Sequence, residues 1–183
     1  MIRWLILCLF LFFLAACAPA TTPASDGRTQ RTSYPDFGAA PELAGDTWIN
    51  TPAPLRLSGL HGKVVLLDMW TFDCINCRNV IPYLRQWYEK YKPSGLVVIG
   101  NHYPEFSVEQ DLGNLKQAVI DLKVPYAVVQ DNQGINWAAY KNNYWPTLYL
   151  IDKSGHIRYV TIGEGNYAET ETAIQALLSE PSN

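Results

Sequence analysis

Alternating apolar runs and amphipathic stretches predict an α/β fold for this chain of 183 residues. The run 63–69 is apolar at most positions, which is typical of a strand buried on both faces of a sheet. The stretch 74–91 then carries apolar residues at helical spacing. A second buried strand, at 96–100, is again followed by a helical pattern. A C-x-x-C pair stands at the first of these strand-to-helix junctions.

The rest of the domain continues this alternation, with turn residues between the elements. The predicted elements are a hairpin of edge strands within 42–57, a helix at 109–122, a strand at 126–129, a short helix at 135–140, strands at 148–151 and 156–162, and a closing helix at 167–178. The loop 102–106 leaves a strand at the carboxyl edge of the sheet, where ligands of open α/β sheets bind.

The C-x-x-C pair, Cys74 and Cys77, has the position of a dithiol–disulfide exchange centre. A helix N-terminus offers unpaired N–H groups and partial positive charge, which stabilise a thiolate at Cys74. Cys77 follows about one helical turn later, within reach of a mixed disulfide formed at Cys74. We therefore expect the two residues to form a redox-active disulfide.

Two other interpretations of the pair are weaker. A structural zinc site needs four ligands, but the other cysteines, Cys8 and Cys17, are near the N-terminus and the three histidines show no ligand spacing. A purely structural disulfide that closes so short a loop would stabilise the fold little. We expect neither a metal nor a cofactor.

Asp68 interrupts the apolar run six residues before Cys74. A buried carboxylate has a raised pKa and exchanges protons near neutral pH. The alternative is an aspartate at the strand end that faces solvent, because Asp is seldom buried. The first interpretation makes Asp68 the proton acceptor of Cys77.

The N-terminus, 1–16, has the pattern of a signal peptide, with Arg3 before the apolar run Trp4–Leu14. The sequence Leu14-Ala15-Ala16-Cys17 resembles the bacterial lipoprotein signal, which implies that Cys17 is lipidated and becomes the new N-terminus. An uncleaved signal anchor is the alternative. Both predict an exported protein at the membrane, facing the periplasm or the cell exterior.

Residues 17–38 are rich in Ala, Thr, Pro and Ser and predict a flexible tether that follows the lipidated residue. Residues 39–181 then form one redox domain, a length that supports a substantial core. The net charge is −3 and the chain shows no basic stripe, which argues against a nucleic-acid partner.

Several motifs together resemble the thioredoxin superfamily, namely a buried-strand Asp, the C-x-x-C pair and a proline eight residues after the first cysteine. The lead-in 57–66 resembles exported TlpA/ResA-type proteins, and other motifs resemble the extracytoplasmic C-terminal domain of DipZ-type proteins. Those motifs are Trp70-Thr71, Cys74-Ile75-Asn76-Cys77, Pro104-Glu105-Phe106, Tyr144-Trp145-Pro146 and Gly163-Glu164-Gly165.

The resemblance implies a thioredoxin fold, in which helices flank a central mixed sheet, with an inserted helix–strand unit at about 106–129. It implies a cis bond before Pro146, packed against the dithiol. We expect the substrate to contact Pro146 together with the aromatic residues Trp70, Phe72 and Trp145. The bulk of Trp145 departs from many thioredoxins.

Two acidic residues near the dithiol complete the candidate site. Asp73 departs from the family pattern, in which an uncharged residue is usual. We expect Asp73 to cap the helix and its charge to oppose a thiolate at Cys74. TlpA/ResA-type relatives place an acidic residue in the loop that holds Glu105, so Glu105 either assists the reaction or is an exposed loop charge.

The leading hypothesis is a lipid-anchored thiol–disulfide oxidoreductase that reduces protein disulfides and functions as a monomer. It needs a separate membrane electron donor of the DsbD/CcdA type. One alternative is a thiol peroxidase of the alkyl-hydroperoxide-reductase type, although the Pro-x-x-x-Thr-x-x-Cys pattern is missing before Cys74. The other is a non-enzymatic docking lipoprotein that uses its aromatic surface.

Overall fold

The computed structural model describes residues 34–181. The predicted signal peptide and the lipidation site Cys17 lie outside these residues. Within 34–181, none of the helices combines the length and the apolar character needed to cross a membrane.

A six-stranded mixed sheet forms the centre of the molecule. Its strands are β1 (Trp48–Ile49), β2 (Val64–Trp70), β3 (Leu96–His102), β4 (Ala127–Gln130), β5 (Thr147–Ile151) and β6 (Ile157–Ile162). Their order is β1-β4-β3-β2-β5-β6. The pairings β4–β3 and β3–β2 are parallel. The pairing β2–β5 is antiparallel, and the edge strands β1 and β6 also pair antiparallel with their neighbours β4 and β5.

Helices cover both faces of this sheet. They are α1 (Ile75–Tyr91), α2 (Leu112–Asp121), α3 (Ile135–Ala139) and α4 (Tyr167–Ser179). Apolar side chains of α1, α2 and α4 pack in one core on one face, and α3 packs with the segment before β2 in a second core on the other. The arrangement confirms the predicted thioredoxin fold with its central mixed sheet.

Strand β2 supplies both cores, because successive side chains of a strand point to opposite faces. All seven residues of β2 are buried, as expected for a strand between two helical layers. Leu66 and Trp70 belong to the core beneath α1, and Leu67 and Met69 to the opposite core. Asp68 shares the parity of Leu66 and Trp70, so its side chain is on the α1 face.

The segment 42–57 differs from the prediction of a hairpin. It contributes only the two-residue strand β1, which pairs with β4 rather than with a second strand of its own. Pro52 and Pro54 lack the N–H donors that a second paired strand would need. The inserted unit is present as expected: α2 lies inside 106–129, and β4 ends one residue beyond this range, at Gln130.

Residues 34–38, at the end of the predicted tether, pack on the domain. The backbone N–H of Phe37 donates to the Ile157 carbonyl at 2.9 Å, and the Tyr34 ring meets the Tyr159 ring edge-on. These residues therefore contact the edge strand β6.

Candidate functional site

The dithiol lies at the carboxyl edge of the parallel strands. Strand β2 ends at Trp70, and α1 begins at Ile75 with Cys74 as its N-cap residue. Cys74 is partly exposed, whereas Cys77 is only 1% exposed. The backbone N–H of Cys77 donates to the Cys74 sulfur at 3.3 Å. Both residues are free thiols here, so the structure shows the dithiol form of a pair close enough to exchange.

The predicted capping role of Asp73 is wrong. Cys74 has the extended backbone of a cap, with φ −72° and ψ 116°, and its sulfur accepts the N–H that a capping side chain would accept. Asp73 lies one residue too early, and its backbone N–H is bonded to Glu109 at 3.1 Å. The carboxylate of Asp73 is exposed beside the dithiol.

Asp68 is buried as predicted, with 1% of its surface exposed. Burial raises the pKa of this carboxyl to about 8. Burial also raises the pKa of the Cys77 thiol, and the negative charge of Asp68 raises it further. The two groups therefore interact electrostatically in the core, because a negative charge on one disfavours ionisation of the other.

Glu109 is a buried carboxylate that the sequence prediction missed. It lies in a short 3₁₀ helix, Ser107–Gln110, and is 0% exposed. It accepts hydrogen bonds from the Thr71 hydroxyl and from the backbone N–H groups of Asp73, Glu105 and Phe106. The sequence signal for Glu109 was an acidic residue at the third position of a helix. The N-cap residue is Phe106, whose side chain has no hydrogen-bond acceptor, so the sequence does not show a complete capping box.

Glu105 has an exposed side chain. Its bond to this site comes from its backbone N–H, which donates to Glu109 at 2.7 Å. Of the two carboxylates in the loop after β3, the structure therefore brings Glu109, and not Glu105, against the segment that precedes Cys74.

His102, the last residue of β3, lies under the reactive loop. It is fully buried, and burial lowers its pKa to about 4, so the imidazole is neutral at physiological pH. Its Nε2 lies 3.3 Å from the Thr71 hydroxyl. The Phe72 ring stacks on the imidazole, with the two ring centroids 5.4 Å apart. Phe72 is partly exposed and remains able to contact a substrate.

Trp70 cannot contact a substrate as predicted, because it is fully buried. As the last residue of the central strand β2, it points into the core beneath α1. Its indole nitrogen is 2.7 Å from the position that a Cβ at Gly100 would occupy. Trp70 therefore fills the space that glycine leaves on the neighbouring strand.

Trp145 and Pro146 precede β5 at the same edge of the sheet, since Thr147 pairs with Met69 of β2. The Trp145–Pro146 bond is cis, as the family resemblance implied. Trp145 is partly exposed, stacks on Tyr103 with ring centroids 5.8 Å apart, and donates its indole N–H to the Tyr103 carbonyl at 3.2 Å. Pro146 itself is buried.

Metal-binding geometry is missing from residues 34–181, where no three His, Cys, Asp or Glu side chains converge on one point. Four elements instead converge on the dithiol: the end of β2, the start of α1, the loop after β3 and the loop before β5. Together they provide an accessible sulfur, a buried sulfur and a buried acid, and the two sulfurs are what intramolecular dithiol–disulfide exchange requires.

The chain is similar to known redox proteins over most of its length. The family model described as AhpC/TSA family matches residues 31–160. Protein DipZ of Mycobacterium bovis is 45% identical over 159 residues, which cover 85% of this chain but 22% of DipZ. Thiol-disulfide oxidoreductase ResA of Bacillus cereus is 32% identical over 123 residues, covering 67% of this chain and 68% of ResA.

Solved structures agree with this relationship. A crystal structure of a thioredoxin-like superfamily protein superposes with a TM-score of 0.74 at 26% identity, covering 79% of this chain and 99% of that one. The chain spans about a fifth of the length of the DipZ proteins it matches. The family match over residues 31–160 and the shared fold show that the chain belongs to the AhpC/TSA family and has a thioredoxin-like fold.

Proposed function

We propose that the protein is a membrane-anchored, extracytoplasmic reductase of protein disulfides, with Cys74 as the attacking thiol and Cys77 as the resolving thiol. The observation that carries this proposal is the asymmetry of the pair. Cys74 is accessible at the start of α1, while Cys77 is buried in the same core as the acid Asp68, whose charge acts on its thiol. An accessible nucleophile with a buried partner favours capture of a substrate followed by its release.

The first step forms a mixed disulfide. The Cys74 thiolate attacks one sulfur of the substrate disulfide, a new S–S bond joins Cys74 to the substrate, and the other substrate sulfur leaves as a thiolate that takes up a proton. The partial positive charge at the start of α1 lies beside the attacking sulfur.

The second step releases the substrate. Cys77 gives its proton to the Asp68 carboxylate and attacks the Cys74 sulfur, which breaks the mixed disulfide. The second substrate sulfur then leaves and is protonated. The substrate has gained two electrons and two protons, and the enzyme is left with a Cys74–Cys77 disulfide. A separate dithiol donor must reduce that disulfide before the next cycle.

The reducing direction is supported by the charges around the sulfurs. Strong oxidants of this superfamily stabilise their reduced form. Here burial and the Asp68 charge disfavour a thiolate at Cys77, and the exposed carboxylate of Asp73 is adjacent to Cys74. These features favour a low potential, so the dithiol gives electrons to its substrates.

A protein substrate is supported by the surface around the dithiol. Large apolar side chains are exposed on three of the converging segments, namely Ile75 at 65%, Phe106 at 55% and Tyr144 at 60%. A polypeptide that presents a disulfide can cover such side chains, because removing apolar surface from water is favourable.

The membrane location rests on the N-terminal pattern, in which Cys17 would carry lipid. We propose that the electron donor is a separate membrane protein of the DsbD/CcdA type. Replacement of Cys17 by alanine should move the protein from the membrane fraction to the soluble extracytoplasmic fraction. Retention of Cys17→Ala in the membrane would favour an uncleaved signal anchor.

Trapping tests the reaction itself. Cys77→Ser should accumulate mixed disulfides with proteins through Cys74, and these should disappear on treatment with excess dithiol. Cys74→Ser is the matched control and should trap far less. If the reduced wild type is oxidised faster by hydrogen peroxide than by a protein disulfide, a thiol peroxidase is favoured instead. If a variant with serine at both positions keeps its cellular function, the protein is a docking lipoprotein.

A further inference from the structure

Glu109 joins two loops that leave neighbouring parallel strands at the dithiol edge of the sheet. One carboxylate oxygen accepts from Thr71 and Asp73, which follow β2. The other accepts from the backbone N–H groups of Glu105 and Phe106, which follow β3, at 2.7 and 2.8 Å. Since the side chain is fully buried, these four bonds are shielded from competing water.

The carboxylate is ionised at neutral pH. Burial alone would raise the pKa of Glu109, but the hydrogen bonds from the Thr71 hydroxyl and the three backbone N–H groups outweigh it and hold the pKa below the ordinary value of 4.5. Hydrogen bonds to a charged acceptor are about twice as strong as those between neutral groups. Glu109 is thus a fixed anion that holds both loops in one arrangement.

The hydrogen-bond chain continues to His102. The Thr71 hydroxyl has a single proton, and a carboxylate can only accept, so that proton is donated to Glu109. The Thr71 oxygen must then accept from the Nε2–H of His102, 3.3 Å away. This assigns the imidazole tautomer, and the partly exposed Phe72 ring stacks on that imidazole.

Thr71 also interacts with the resolving cysteine, Cys77. Burial, the Asp68 charge and the neighbouring Cys74 raise the pKa of the Cys77 thiol, whereas a hydrogen bond from the Thr71 backbone N–H lowers it. The side chain of the same residue, Thr71, is held by Glu109. A shift of the loop would withdraw the one hydrogen bond that acts in favour of Cys77 ionisation.

We propose that Glu109 is a positioning residue for the resolving step: it fixes the loop 71–73 so that the Thr71 N–H meets the Cys77 sulfur as that sulfur becomes a thiolate. The role holds in either direction of electron transfer, because Cys77 passes through its thiolate in both: it attacks the Cys74 sulfur when a substrate is reduced and leaves that sulfur when a substrate is oxidised. It rests on the roles proposed above for Cys74 and Cys77, and not on the reducing direction or the membrane location.

A chromogenic aryl disulfide separates the two steps in one stopped-flow trace. Attack by Cys74 releases one coloured aryl thiolate in a first phase, and attack by Cys77 releases the other in a second phase. The test variant is Glu109→Gln, which keeps the size but removes the charge. The matched control is Glu89→Gln, an exposed glutamate near the C-terminal end of α1, far along the helix from the dithiol.

We expect Glu109→Gln to slow the second phase by about 10- to 100-fold, as a small misplacement of reacting groups can do, and the first phase by less than about threefold. Glu89→Gln should leave both phases unchanged. Thr71→Val removes the hydroxyl with little change of shape and should slow the second phase to a smaller extent, whereas Thr71→Ser should restore it.

Equal slowing of both phases in Glu109→Gln would show a general loss of structure and overturn the proposal, as would a second phase within about threefold of the wild type. If Glu109→Gln does not fold, Thr71→Val decides, and a wild-type second phase in that variant overturns the proposal. A wild type that releases only one aryl thiolate per protein molecule would instead refute the role of Cys77, which distinguishes failure of the proposed function.

Discussion

The replacement Asp68→Asn should separate the stability of the fold from the rate of resolution. Burial raises the pKa of this carboxyl from 3.8 to about 8, and its Oδ1 has no hydrogen-bond partner within the described chain. At neutral pH the folded protein therefore keeps Asp68 mostly protonated, while the unfolded chain releases that proton.

The sign of the effect on stability follows from this difference. Between about pH 4 and pH 8 the folded state binds the proton that the unfolded state releases, so the free energy of unfolding falls as pH rises through this window. Each pKa unit corresponds to about 1.4 kcal/mol. The rise of the Asp68 pKa therefore means that the folded state loses on the order of 5 kcal/mol of stability above pH 8, and none below the pKa of the unfolded state. The asparagine variant lacks this loss.

Denaturant unfolding at about pH 4 and about pH 9 measures the effect, because the cost of burying the new amide is the same at both and cancels in the difference. We expect Asp68→Asn to gain several kcal/mol over the wild type between the two pH values. The control Asp121→Asn, on the exposed side of α2, should gain almost nothing. If the free energy of unfolding depends equally on pH in wild type and Asp68→Asn, the raised pKa of Asp68 is refuted.

The same variant should resolve mixed disulfides slowly. In the wild type the second phase of aryl disulfide reduction should accelerate as pH rises through about 8, because ionised Asp68 accepts the Cys77 proton. Asp68→Asn should lose this rise and be slower by about 100-fold or more at alkaline pH. A second phase at the wild-type rate across this range would make Asp68 a bystander.

Three further outcomes are expected. Asp73→Ser should raise the midpoint potential by up to about 20 mV, since an exposed charge beside the dithiol is removed; a fall measured in a glutathione titration would contradict this. Iodoacetamide at mildly acidic pH should label Cys74 before Cys77 in peptide maps of the reduced protein, and the reverse order would exchange the two roles. Gly100→Ala should lower the unfolding free energy by about 1–3 kcal/mol, because its Cβ would lie 2.7 Å from the Trp70 indole nitrogen; denaturant unfolding at the wild-type midpoint would refute this.

Much of the fold could be predicted because hydrophobic period is a local signal. The uninterrupted apolar run of β2 indicated burial on both faces, and the helical spacing after it placed α1 to within a residue. The hairpin failed where the pairing partner was remote, as β1 pairs with a strand about 80 residues later in the chain. A strand of two residues is too short for its hydrophobic pattern to predict a partner strand.

The candidate site shows the same division. The dithiol and Asp68 could be found because their spacing along β2 and α1 fixes their positions. Trp70 was misjudged because proximity in sequence to Cys74 does not show which face of a strand a side chain occupies. Glu109 could not be found because its four donors belong to two loops brought together only by the parallel pairing of β2 and β3.

The measurement that most directly tests the reductase account is the midpoint potential of the Cys74–Cys77 couple, titrated against thiol–disulfide buffers with the reduced fraction read by alkylation. Burial of Cys77 and the Asp68 charge disfavour its thiolate, so we expect a value close to that of thioredoxin, about −270 mV, or below it. A value near about −120 mV, as in the strong oxidant DsbA, would show that the reduced form is stabilised and would contradict the proposed direction.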